Sequence, residues 1–407
     1  MHLLLMAQHF APEEVSGAVL ATELATDLAA HGQSVTFVTC APNYPGGKVF
    51  SGYRNRVYHT EQQNGIRIVR TWSYISPQHS FWRRILNYGT FSASAFYGGL
   101  FSGKPDVIFS YSPPLPLGVA AWLLSRWWRV PWIMRLEDLY PDTAIAAGVL
   151  RNRFAIRFFS ALEKFLYRRA THLSLISEDF RRNLLQKGVP ADKLSVTPVW
   201  ADPGEVRPLP RENQFRQQHD LNDSFVVLYA GNLGHTSAVE DLLDAADLLR
   251  TQPTIRFVLV GEGVKKAELL DIAQRQQLTN VLFLPFQPRE RFAEMMAAAD
   301  VSVVTLNPSL ARTSLPSKLF NIMASGRPVL AIAPHDSEVA QVVERAHCGI
   351  VVQPGDPQEV ANQVRFLRDN AAHGIEMGQR GRAELETRYS RERCVREFTD
   401  LLKQAAG

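Results

Sequence analysis

The chain has 407 residues, 46% apolar and 21% charged, enough for two to three domains at roughly 100–200 residues each. An aromatic content of 10% argues against disorder, and a formal charge of +4 is too weak to indicate nucleic acid. Cys40, Cys348 and Cys394 are far apart with no CxxC, which argues against a zinc ribbon or disulfide framework and for reduced cytoplasmic thiols. No run of about 18 apolar residues occurs and the first residues lack a basic n-region, so neither a transmembrane helix nor a signal peptide is expected.

In chain order, His2 to Gln8 reads as a buried strand, Ala18 to Ala30 as a helix closed by Gly32, and Val35 to Thr39 as the next strand. Strands follow at Ile66 to Arg70, Asp106 to Ser110, Pro131 to Arg135, Leu173 to Ser177 and Val196 to Thr197. Helices are expected over Pro116 to Trp128, Arg153 to Ala170 and onward through Lys187. The second half alternates in the same way. Its strands are Phe225 to Ala230, Ile255 to Val260, Val281 to Leu284, Val301 to Thr305, Pro328 to Ala331 and Gly349 to Val352. Its helices are Ala238 to Leu249, Lys265 to Gln276, Glu290 to Ala298, Lys318 to Ala324 and Val339 to Glu344, and the chain ends in helices. Continuous apolar strands between helices predict parallel sheets covered on both faces. The polar stretch Asp202 to Asp223, with Pro203, Pro208 and Pro210, marks the join. The expectation is an α/β chain of two facing, doubly wound, Rossmann-like domains, 1–205 and 206–385, with 386–407 as a C-terminal helix packing back on the first. A ligand then belongs in the cleft, beyond the carboxyl ends of the strands.

Charge is uneven. Residues 1–205 carry 21 Lys and Arg against 15 Asp and Glu, whereas 206–407 carry 23 against 25. Residues 81–101 hold seven aromatics and no acid, and 151–170 hold six basic residues and one Glu. Both read as amphipathic helices. Either they are ordinary surface helices packed on the core, or their basic, aromatic faces rest on an anionic membrane.

No GxxxxGK[ST], early GxGxxG, GxSxG or HExxH occurs, which removes P-loop, serine-elbow and zincin chemistry and weakens a nicotinamide site. What remains is a set of strand-to-helix turns: Ser16-Gly17-Ala18, Gly231-Asn232-Leu233-Gly234, Gly261-Glu262-Gly263 and Leu315-Pro316-Ser317-Lys318. Small residues let backbone N–H groups approach an anion, and a lysine at a helix start suits phosphate. Together they favour a nucleotide-diphosphate site. Glu137 and Asp138 follow a strand and could orient or deprotonate a hydroxyl. The competing reading is a helix cap or a salt bridge to Arg135. Asp142 reads as a helix cap, and His9 as either a substrate contact or a structural residue.

The segments YAGNLG, LVGEG and SLPSKLFNIMASGRPVLA resemble the donor domain of GT-B retaining glycosyltransferases of family 4, and APEEVSG and RLEDLYPD resemble its acceptor domain. The likeness covers nearly the whole chain. LPSKLxN is similar to the subgroup of colanic-acid fucosyltransferase-like and N-acetylfucosamine transferases. The resemblance implies transfer, with retention, from a GDP- or UDP-sugar to a lipid-linked or oligosaccharide acceptor in exopolysaccharide, capsule or O-antigen synthesis. It implies no metal and no cofactor. It places Asn232, His235 and Lys318 near the diphosphate, Glu262 and Gly263 at the edge of the donor site, Phe286 near the base and Gly17 beside the donor. The family's two glutamates, eight apart, fall on Thr313 and Asn321. Its basic pair after the first strand of the donor domain is absent, which puts weight on Lys318 and Arg312. The expected location is cytoplasmic, peripheral on the inner leaflet through residues 81–101 and 151–170, with no nucleic-acid partner. A GT-B epimerase or hydrolase, or a two-lobed sugar-binding protein without catalysis, is the alternative.

Overall fold

Eight strands form the sheet of the first unit in a computed structural model, which describes every residue except His79, Ser80, His235, Thr236 and Arg312, and Phe81 by its backbone only. They are β1 (His2–Met6), β2 (Ser34–Cys40), β3 (Tyr58–Gln63), β4 (Ile66–Thr71), β5 (Val107–Ser112), β6 (Trp132–Leu136), β7 (His172–Leu175) and β8 (Leu194–Val196). Their order is β3-β4-β2-β1-β5-β6-β7-β8, parallel except for β3 against β4. The central strands β5 and β6 are buried at every residue, because helices cover both faces and their apolar runs have no solvent side.

The second unit holds β9 (Phe225–Ala230), β10 (Ile255–Val260), β11 (Val281–Leu284), β12 (Val301–Thr305), β13 (Val329–Ile332) and β14 (Gly349–Val352). The order is β11-β10-β9-β12-β13-β14, all parallel. Strand direction of travel reverses at β1 in the first unit and at β9 in the second. These are the switch points where loops splay apart and ligands enter such sheets.

The units are Met1–Pro198 with Cys394–Gly407, and Val199–Arg393. The expected boundary at 205/206 thus moves to 198/199, and the returning segment starts at 394 rather than 386. The cause is pairing with residues far along the chain. Ala201 bridges Ser390, Asp202 pairs with Arg391 at 3.1 Å, and Arg382 donates to the Pro203 carbonyl at 3.0 Å. Within the first unit, Phe398 of helix Arg391–Ala406 packs edge-on against Phe109 and lies under the Arg135 guanidinium at 4.9 Å.

Strand β3 is absent from the sequence expectation. YHTEQQ is polar because its partner lies on one side only and most of it faces solvent. The signal that could have found it is Asn64-Gly65, both at positive φ, which closes the two-residue hairpin from Gln63 to Ile66. Asp142 is not a cap. It opens helix Asp142–Ala146, whose N-cap is Pro141, and its carboxylate pairs with Lys187 at 2.8 Å.

Candidate active site

In the second unit the loops after β9 and β10 are locked together. The Gly231 N–H donates to the Val260 carbonyl (2.9 Å), Leu233 to Glu262 (2.9 Å), and Lys265 back to Leu233 (3.0 Å). A Cβ at Gly261 would stand 1.9 Å from the Gly231 carbonyl oxygen, and one at Gly263 2.3 Å from that of Leu233. Loop-on-loop packing therefore accounts for these two glycines without a ligand.

Lys318 opens helix Lys318–Ala324 after β12 and reaches across the switch point to β9. Its Nζ donates to the Tyr229 hydroxyl at 2.7 Å and lies 3.9 Å from that ring's centre. The Tyr229 hydroxyl in turn donates to the Asn232 carbonyl at 2.9 Å. A Cβ on Gly231 would come within 2.8 Å of Lys318 Nζ, so a glycine keeps the ammonium beside the first loop. Lysine, loop and tyrosine make a cationic platform at the carboxyl edge of the sheet. Tyr229 is a member of this platform that the sequence analysis does not single out. It stands in YAGNLG, but only the fold shows that its hydroxyl meets Lys318.

The other candidates of this unit are spread around that platform. Asn232 is exposed, and Gly234 is buried behind it. Glu262 is exposed and pairs with Lys266 at 2.6 Å. Phe286 is exposed in the turn after β11. Leu315 is buried, while Pro316 and Ser317 are half-buried ahead of Lys318. Thr313 is buried, its hydroxyl 3.4 Å from the Leu310 carbonyl. Asn321 lines, with Lys318, Ser302 and Phe292, a cavity of about 10 Å³, the size of one water. His235 and Arg312 lie outside the described residues.

In the first unit, Glu137 and Asp138 follow β6, and the Glu137 N–H donates to the Ser112 carbonyl at the end of β5 (2.9 Å). Gly17 lies against them: a Cβ there would be 3.1 Å from Glu137 Oε2. The salt bridge to Arg135 does not form. That guanidinium is spent on Ser174, Leu175 and Thr197. Among the described residues neither carboxylate has a hydrogen-bond or ion-pair partner. Burial pushes Glu137 up to about 7, against the opposing pull of Arg135. Burial and then the Glu137 charge push Asp138 up to about 7, with Arg84 opposing. Two half-buried, unpaired carboxyls at a strand end are costly for stability and suited to proton transfer near neutrality.

That cost has a sign. Both groups sit above their ordinary values of 4.5 and 3.8, so between about 4 and 7 these two carboxyls bind more protons in the folded chain than in the unfolded one. Their contribution to stability then falls as pH rises through this window and levels off above it. Glu137→Gln removes one carboxyl and the repulsion it exerts on Asp138. We expect its melting temperature to exceed the wild type's at pH 8 and to converge with it near pH 4. An equal pH slope in both proteins would contradict the assignment.

Comparison with known proteins places the chain in a family. Residues 17–200 match the glycosyl transferase 4-like domain and residues 210–384 the glycosyl transferases group 1 domain. A colanic acid biosynthesis glycosyl transferase of Escherichia coli K12, WcaI, is 28% identical over 84% of this chain and 86% of its own length. Sucrose-phosphate synthase of Thermosynechococcus elongatus has the same fold at a TM-score of 0.80, with 19% identity over 99% of this chain and 98% of that one. The Anabaena HepE structure in complex with UDP-glucose reaches 0.74, with 18% identity over 99% and 100%. These neighbours carry the GT-B fold, two Rossmann-like α/β units in one chain. The chain belongs to the glycosyltransferases, an enzyme built from a glycosyl transferase 4-like domain followed by a group 1 domain.

Proposed function

We propose that the protein transfers a sugar, with retention, from a nucleotide-diphosphate sugar to a lipid-linked or oligosaccharide acceptor in bacterial exopolysaccharide, capsule or O-antigen synthesis. The observation that carries the donor half is Lys318 Nζ held over the Gly231 loop at the β9 switch point. A point charge beside backbone N–H groups meets the charge that grows on a leaving diphosphate. The UDP-glucose bound to Anabaena HepE and the colanic acid role of the Escherichia coli relative support the donor class and the setting. Asn232 and Ser317 border the diphosphate, Phe286 the base, and Asn321 and Thr313 the ribose and donor sugar. Glu137 and Asp138, with Gly17 beside them, orient the acceptor hydroxyl. The acceptor oxygen bonds to the anomeric carbon as the bond to the phosphate oxygen breaks, and a leaving phosphate oxygen takes the hydroxyl proton.

A thermal-shift screen with UDP, GDP, a UDP-N-acetylhexosamine and GDP-fucose tests this. A ligand at 100 times its Kd stabilises by about 2.7 kcal/mol. One nucleotide should raise the melting temperature by several degrees, and no shift from any of them would sink the donor site.

The acceptor side suggests a membrane surface. No helix of the described residues is long and apolar enough to cross a membrane. On helix Arg153–Arg169, however, Phe154 and Phe158 are 84% and 63% exposed, and Arg153 and Arg157 are exposed with them. Trp82 at the start of helix Phe81–Leu100 is 75% exposed. Aromatics and arginines on one helix face suit an anionic lipid interface. The change of Arg153 and Arg157 to Glu with Phe154 and Phe158 to Ser should abolish sedimentation with phosphatidylglycerol vesicles. If the wild type does not sediment with them, the membrane reading is wrong.

A further inference from the structure

Glu13 lies in the loop after β1 and is 3% exposed, yet its carboxylate is saturated. Oε1 accepts from the Asn43 and Tyr44 N–H groups, both at 2.8 Å. Oε2 accepts from the Phe10 N–H at 3.2 Å and lies 3.0 Å from His9 Nδ1. Burial alone would raise this carboxyl, but the His9 contact and the backbone donors outweigh it and hold it below its ordinary range. The loops after β1 and β2 are thereby tied to one buried charge. An ionised carboxylate only accepts, so a proton sits on His9 Nδ1, and in the neutral imidazole Nε2 then presents a lone pair. His9 is 31% exposed by its side chain, and Nε2 has no partner among the described residues. The Tyr44 ring, also exposed, stands 5.4 Å from the imidazole at 60°.

A half-open imidazole acceptor beside an open aromatic face is the chemistry of a sugar contact: a hydroxyl donates to Nε2, and the ring lies against the C–H face. We propose that His9 and Tyr44 form a hexose subsite for the acceptor at the carboxyl end of the first sheet, with Glu13 as the positioning residue that fixes the His9 tautomer. The subsite rests on the glycosyltransferase reading and adds residues to its acceptor side. Glu13 does not touch the sugar. Its role is to hold the neutral ring in the Nδ1–H tautomer, with the lone pair on Nε2.

The test uses the full chain with ¹⁵N-labelled histidine, the His9 signal assigned by its loss in His9→Phe. The wild type should show the Nδ1–H tautomer. In Glu13→Gln the Asn43 and Tyr44 N–H groups keep the amide oxygen and the Phe10 N–H loses its acceptor, so the NH₂ faces His9 and the proton should move to Nε2. A wild type with Nε2–H overturns the proposal. Titration with octyl glucoside, octyl galactoside and octyl N-acetylglucosaminide should shift the His9 signal with at least one of them. His9→Phe and Tyr44→Ala, which both spare the backbone bonds to Glu13, should weaken that sugar at least tenfold and leave nucleotide binding within twofold. No response of His9 to any of the three glycosides removes the subsite. The nucleotide thermal shift reports on the transfer reading separately, so the two can fail independently.

Discussion

Replacing Lys318 by alanine is expected to lower turnover about 10²-fold or more, the scale of losing one preorganised charge partner in a transition state. That is about 2.7 kcal/mol of barrier. The lysine is held by Tyr229 over the loop that follows β9, so its charge needs no rearrangement when negative charge develops beside it. The check is nucleoside diphosphate released from the nucleotide sugar that the thermal-shift screen selects. The loss should fall mainly on kcat, with a smaller fall in melting temperature from the lost contact with the buried Tyr229 ring. Unchanged turnover would remove the phosphate assignment.

Asp300→Ala is expected to cost about 3–5 kcal/mol of stability, the usual consequence of stripping one partner from a buried ion pair. Asp300 is the carboxylate at the start of β12. It binds Arg211 at 2.5 Å, the fully buried Arg216 at 3.0 Å and the Val226 N–H at 2.7 Å. Arg327 lies close enough to feel the same charge. Without the carboxylate, the fully buried Arg216 loses its ion-pair partner, whereas Arg211 keeps Glu212 and Arg327 keeps the Leu209 and Ala297 carbonyls. For a unit of this size the loss corresponds to roughly 6–20 °C in melting temperature. A fall under about 2 °C would show that the arginines find other partners. The site lies at the amino ends of the strands, so the residual folded protein should still bind nucleotide.

Much of the architecture was legible before any coordinates. Uninterrupted apolar runs such as LLLM in β1 and FVVLYA in β9 fit strands covered by helices on both faces, and their alternation with amphipathic segments leaves little besides a doubly wound sheet. The polar edge strand β3 escaped because it buries too little to carry a periodic signal. The unit boundary slipped because residues 199–205 are claimed by contacts nearly two hundred residues away, at Arg382 and Ser390–Arg391.

At the site the division is sharper. Local spacing singles out Lys318, the glycine turns and the Glu137-Asp138 pair as candidates, because charge type and turn chemistry are properties of neighbouring residues. Sequence could not report that Arg135 bonds to Ser174 and Thr197 rather than to those carboxylates, leaving them unpaired. Nor could it show Tyr229 under Lys318 or Glu13 against His9 and the β2 loop. A side chain's partner is set by which strands lie side by side, and its ionisation by how much water the surrounding fold removes. The chain order determined the sheets and the residue types at their carboxyl edges. Only the packed structure decided which of those groups meet, which stay unpaired, and therefore which are available for chemistry.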